Sequence, residues 1–152
     1  MAAWRTGSSG PWASAGGAIE HRLKRGRLHR IHHGVYAVGH RVLGPDGWRM
    51  AAVLAAGQDA VLSLYSATEL WGLRTSARRW HDVTVPRQLR SRPAIRVHQA
   101  LLRGDEITVV RGIPATTVPR TILDVAATAP QREVERLIHE AEVKRLWDPL
   151  SL

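Results

Sequence analysis

The chain is 152 residues long, 44% apolar, and carries a formal charge of +9. That length suits one average domain or two very small ones, and it allows about two-thirds of the unfolded surface to be buried. The absence of cysteine excludes disulfides, thiolate zinc sites and a cysteine nucleophile. No apolar run approaches the roughly 18 residues of a membrane span or forms the core of a signal peptide, so a soluble, cytoplasmic protein is expected.

Phenylalanine is absent and only two tyrosines are present, so Val, Leu, Ile, Ala and the six tryptophans must fill the core. Positions 7–17, "GSSGPWASAGG", have neither helical nor strand period and read as loop; residues 1–17 are taken together as a disordered or degenerate N-terminus. From Ala18 a short helix is expected. Ile19 and Leu23 share one face at i and i+4, His21, Arg22, Lys24 and Arg25 point elsewhere, and Gly26 suits the position just past the last turn. "RLHRI", "HHG" and "VYAV" then read as strand, tight turn with Gly34, and strand. A helix followed by a basic hairpin therefore occupies residues 18–42.

The charge is concentrated on that segment. Residues 18–41 hold Arg22, Lys24, Arg25, Arg27, Arg30 and Arg41 against Glu20, which is 6 − 1 = +5, together with five of the eight histidines. A field gathered on one short stretch suits a polyphosphate partner, because neutralising phosphates releases condensed counterions. The competing explanation is a solvated basic face in a chain that uses 20 Arg and 2 Lys throughout.

Residues 43–152 read as a small α/β domain. "GPDG" at 44–47 predicts a turn, followed by a helix through "WRMAAVLAAG" that stops at Gly57. "DAVLS" is a short apolar run. "YSATELWGL" predicts a second helix capped by Ser63 or Ser66, the latter at capping-box spacing from Glu69. Beyond Trp80 the β-branched runs "HDVTVP", "AIRVHQ", "EITVV" and "IPATT" predict a series of antiparallel strands. Thr117 and Pro119 suit the start of a helix through "RTILDVAA", with Arg120 and Asp124 four apart. "QREVERLIHEAEVKRLW" places Val134, Leu137, Ile138 and Ala141 on one stripe, a C-terminal amphipathic helix. The fold class is thus α+β: a partial winged helix-turn-helix, made of a helix and its β-hairpin wing, followed by the α/β domain.

Three chemistries compete for the marked residues. In a winged helix-turn-helix the recognition helix enters the major groove and the wing reaches the backbone or minor groove. His21, Arg22, Lys24, Arg25, Arg27, Arg30, His32 and His33 are the candidate DNA contacts, Arg being suited to bidentate grip on guanine or phosphate. The histidines would add charge below about pH 6.5. The competing explanation is the same helix and hairpin packed as mere structure. A metal site from His29, His32 and His33 is disfavoured, because residue 32 faces away from 29 and 33 and no nearby carboxylate completes it; no metal or cofactor is expected. A nuclease reading rests on Glu142 and Lys144, which spell E-x-K, with Asp105 and Asp124 upstream. Such carboxylates must converge on Mg²⁺, whereas this E-x-K lies in the amphipathic helix, where Glu140 and Lys144 make a routine i,i+4 pair. "RRWHDVTVPRQLRSRP" supplies a second basic cluster, Arg78, Arg79, Arg87, Arg90 and Arg92, as a DNA track or a solvated loop.

The segments "AIEHRLKRGRLHRIHHGVYAVGH", "AAVLAAGQDAVLS", "SATELWGLR", "DVTVPR", "IRVHQ", "EITVVRGIPATT" and "RTILDVA" come in consistent order over residues 18–150. In this the chain resembles the AbiEi-like antitoxins of type IV toxin-antitoxin systems and related transcriptional regulators. The resemblance implies a winged helix-turn-helix that binds operator DNA as double strand and represses its own operon. It also implies opposition to a nucleotidyltransferase toxin without a stable complex. No enzymatic activity and no membrane association are expected. The family supplies about two helices before the recognition helix where this chain has only "WRTGSSGPWASAGG", so the first helix and the turn are expected to be missing or degenerate. Relatives run on past "DPLSL", many into an endonuclease-like domain. At Leu64 and Tyr65 the family often carries polar residues. The alternative is a non-catalytic remnant of a DNA-cleaving or repair-associated protein.

Overall fold

The computed structural model describes residues 3–5, 16–39, 42–75 and 78–146. They form an α+β chain of five α-helices and two sheets, which divides into two compact units at Gln58/Asp59. No described helix is long and apolar enough to cross a membrane.

The first unit holds strand β1 (Ala3–Arg5), helix α1 (Gly16–Lys24), the hairpin β2 (Leu28–His32) and β3 (Val35–Val38), and helix α2 (Pro45–Ala56). The sheet order is β1–β3–β2, antiparallel throughout. The strand at residues 3–5 falls within the 1–17 stretch expected to be disordered or degenerate. "AWR" carries no local strand signal, and its backbone is paired by the edge of β3 that β2 leaves open, with Ala3 opposite Ala37 and Arg5 opposite Val35. The Gly/Ser/Ala tract at 6–15, His40, Arg41 and "DPLSL" lie outside the described residues.

Helix α1 stops where Gly26 predicts. Gly26 takes φ +66°, its N–H donates to the Leu23 carbonyl at 3.0 Å, and the Arg27 N–H reaches back to the Arg22 carbonyl at 2.9 Å. This pair of bonds is the Schellman motif, which satisfies two orphan carbonyls through a left-handed residue that favours glycine. Leu28, Val35 and Ala37 of the hairpin are buried, α1 packs against β2, and α2 packs against all three strands. The unit therefore extends beyond the boundary expected at residue 42, because α2 is the layer that closes its sheet. "GPDG" is also not a free turn. Pro45 is the first residue of α2, where its missing N–H would have had no partner in any case. The following Gly47 lets Leu43 approach; a Cβ there would lie 3.1 Å from the Leu43 Cβ.

The second unit contains β4 (Val61–Leu62), α3 (Leu64–Leu70), β5 (His81–Val85), β6 (Ile95–Gln99), a 3-10 turn (Gly104–Glu106), β7 (Ile107–Val110), β8 (Ile113–Thr116), α4 (Val118–Ala126) and α5 (Gln131–Val143). The sheet order is β6–β5–β4–β8–β7. Its pairing is mixed: β4/β5 and β7/β8 are antiparallel, but β5/β6 and β4/β8 are parallel. The all-antiparallel expectation is corrected here. The segment 86–94 runs back along the outside of β6 before the strand begins. Arg92 and Ile95 exchange backbone bonds at 2.9 Å, and the Val97 N–H donates to Ser91 Oγ at 3.0 Å. That return covers an edge that would otherwise offer unpaired N–H groups.

Helices α3, α4 and α5 share a core of Tyr65, Leu73, Val118, Ile122, Val125, Leu137 and Ala141, with Val134 and Ile138 partly buried against it, which is the stripe read from the sequence. The seryl caps differ. Ser63 stands at the N-cap of α3 without a side-chain cap bond; its hydroxyl instead accepts from Thr84 at 2.8 Å. Ser66 Oγ accepts the Asp82 N–H at 2.8 Å. Both hydroxyls serve β5, because a buried strand group without a partner costs more than a helix end can recover from water.

Candidate nucleic-acid interface

Seven of the eight residues read as DNA contacts, His21, Arg22, Lys24, Arg25, Arg27, Arg30 and His33, are exposed. They come from three consecutive pieces of one unit: the last turn of α1, its Schellman exit, and the β2–β3 hairpin. No acidic residue falls between positions 21 and 33. Ile19 and Leu23 are half-buried on the other side of α1, as the i,i+4 spacing requires. His21, Arg22 and Lys24 crowd the C-terminal turn, where the helix dipole favours cations. That end presents carbonyls rather than N–H groups, so any grip on phosphate there comes from side chains alone.

His32 departs from the expectation. The hairpin register slips between Arg30 and His32, so that Arg30 lies opposite Tyr36 and His32 opposite Val35. Ile31 is the extra residue of a β-bulge, which twists the strand and re-aims the side chains after it. His32 is half-buried as a result and has interactions within the protein. The bulge also breaks the alternation between residues 29 and 33, and His33 sits in the turn beside Gly34, whose φ is +74°. Among the described residues no group of three or more His, Cys, Asp or Glu is arranged to hold a metal ion.

The carboxylates of the nuclease reading are engaged separately. Asp105 pairs with Arg103 at 2.8 Å, and Glu142 is exposed near the end of α5. The Arg120–Asp124 pair predicted four apart is present at 2.8 Å, and it is wider than the sequence suggests, because Arg120 also binds Glu106 at 2.8 Å from the 3-10 turn before β7. The Arg103 N–H donates to the second Glu106 oxygen at 2.8 Å; that backbone bond and then Arg120 hold the Glu106 carboxyl below its ordinary range. Asp124 moves the other way: burial raises it, against the opposing pull of Arg120.

Sequence reasoning missed one pair. The Asp82 side chain is 1% exposed and meets His98 Nε2 at 2.9 Å, while its other oxygen is buried without a hydrogen-bond partner among the described residues. His98 lies with Thr84, Leu64, Leu123, Arg120 and Asp124 around a cleft of about 620 Å³. The signal was an aspartate inside "HDVTV", a position on a buried strand that only a partner can support. Its partner depends on the parallel pairing that sets Thr84 against His98, which has no local sequence signature.

No family model and no curated protein matches this chain.

Proposed function

We propose that the first unit is a winged-helix-like module that binds double-stranded DNA, in a non-enzymatic, cytoplasmic antitoxin or transcriptional regulator of the AbiEi-like kind that represses its own operon. The observation that carries the reading is the set of exposed basic residues His21, Arg22, Lys24, Arg25, Arg27, Arg30 and His33 across a helix end and a hairpin, with no acid between positions 21 and 33. Arg22, Lys24, Arg25 and Arg27 grip phosphates at the helix exit, and Arg30 and His33 extend the contact along the wing. One or two of the arginines read base edges. Helix α2, packed on all three strands, holds the hairpin from behind and takes over the support that relatives draw from helices preceding the recognition helix. A nucleotidyltransferase toxin is the functional counterpart, opposed without a stable complex.

The test is a mobility-shift titration of folded protein with duplex DNA at low salt. Binding that weakens steeply as salt rises supports the reading; no binding at low salt rejects it.

A further inference from the structure

A second arginine-rich surface lies in the other unit. Residues 74–96 contain seven arginines, at 74, 78, 79, 87, 90, 92 and 96, against one acid, Asp82, which is 7 − 1 = +6. All seven arginines are exposed, whereas Asp82 is buried and bound to His98. Their setting is specific. The Arg78 guanidinium lies 3.5 Å from the centroid of the Tyr65 ring and 5.6 Å from that of Trp80. Arg96 lies 4.5 Å over Trp80, and Arg74 lies 5.4 Å from the Tyr65 centroid while pairing with Glu133. Guanidinium and aromatic groups therefore follow one another from α3 across to β6.

We propose that this arginine–aromatic row is a sequence-independent binding surface for single-stranded nucleic acid. A guanidinium packed over an aromatic ring is a planar cation with reduced freedom, and an unstacked base can lie against its exposed side. The surrounding arginines neutralise the phosphates between successive bases. A duplex can use only the charge, since its base faces are stacked on one another. The row ends on β6, an edge strand of the sheet. Arg96 carries the weight of the argument, being exposed, on the edge strand, and seated on Trp80.

Fluorescence anisotropy of the full chain with oligo(dT) of about a dozen nucleotides, a length within the usual footprint of single-strand binders, tests this. Arg96→Ala is expected to weaken binding about 5- to 20-fold, and Arg96→Lys nearly as much, because lysine keeps the charge but not the plane. Arg22→Ala with Arg30→Ala is expected to leave oligo(dT) binding unchanged while weakening duplex binding, so that failure of this proposal and failure of the duplex reading are seen separately. Thermal melting confirms that each variant is folded. The proposal is overturned if wild-type protein does not bind oligo(dT), if Arg96→Lys binds like wild type, or if the Arg22/Arg30 variant loses oligo(dT) and duplex together.

Discussion

Replacing Arg22 and Arg30 by alanine together is the sharpest probe of the duplex-binding unit. Both side chains are exposed, one in the last turn of α1 and the other on β2, so the substitutions remove charge while leaving Leu28, Val35 and Ala37 buried as before. Five permanent cations, Arg22, Lys24, Arg25, Arg27 and Arg30, stand exposed in this stretch. If each neutralises one phosphate, log K against log salt should fall with a slope of about −4.5, roughly a 500-fold loss between 50 and 200 mM. Removing two leaves three, a slope of about −2.7 and a loss of roughly 40-fold over the same range. Mobility shift or anisotropy at four or five salt concentrations measures both slopes. The control is Arg132→Ala with Arg136→Ala on α5, also exposed, which removes the same charge from the other unit and should leave the slope unchanged. An equal flattening by both pairs would refute the reasoning, since the effect would then follow net charge and not this surface.

The remaining predictions concern stability. Leu137, 2% exposed in the core shared by α3, α4 and α5, should cost about 3 kcal/mol as Leu137→Ala. Val143→Ala, at 65% exposure on the same helix, should change the unfolding free energy read from urea titration by less than about 0.5 kcal/mol. Helices α3 and α5 both end in Schellman bonds, through Gly72 at φ +70° and Arg145 at φ +51°. Nothing lies within 4 Å of a Cβ built on Gly72, so Gly72→Ala should cost about 1 kcal/mol from the backbone alone, and Arg145→Gly should raise the melting temperature. Acid titration separates the two carboxylates bound by Arg120. Glu106, held below its ordinary 4.5, contributes stability that is present above that pH and lost as pH falls, so Glu106→Gln should flatten the acid limb of the unfolding curve. Asp124, raised above its ordinary 3.8, takes up its proton more readily in the folded chain and opposes that loss, so Asp124→Asn should steepen the same limb.

Much of this protein is written locally. Gly26 announces the end of α1, the alternation of "RLHRI" and "VYAV" around Gly34 announces the hairpin, and the stripe Val134, Leu137, Ile138, Ala141 announces α5. Each signal acts within a turn or a strand length, so neighbouring residues suffice to specify it. The exposure of the basic run was legible for a related reason: unpaired charges remain in water wherever the chain leads them. Other features had to wait for partners distant in sequence. "AWR" is a strand only because β3 has an open edge, and strand pattern says nothing about direction, so the parallel pairing of β5 with β6 depends on the path of residues 86–94. His32 is half-buried next to a register shift, Glu106 reaches Arg120 across β7 and β8, and Asp82 finds His98 only through the parallel register. Local residue pattern specifies the helices, the hairpin and the water-facing charge. Tertiary structure decided which buried polar groups meet, because a group removed from water must be satisfied by whatever the completed fold brings within about 3 Å.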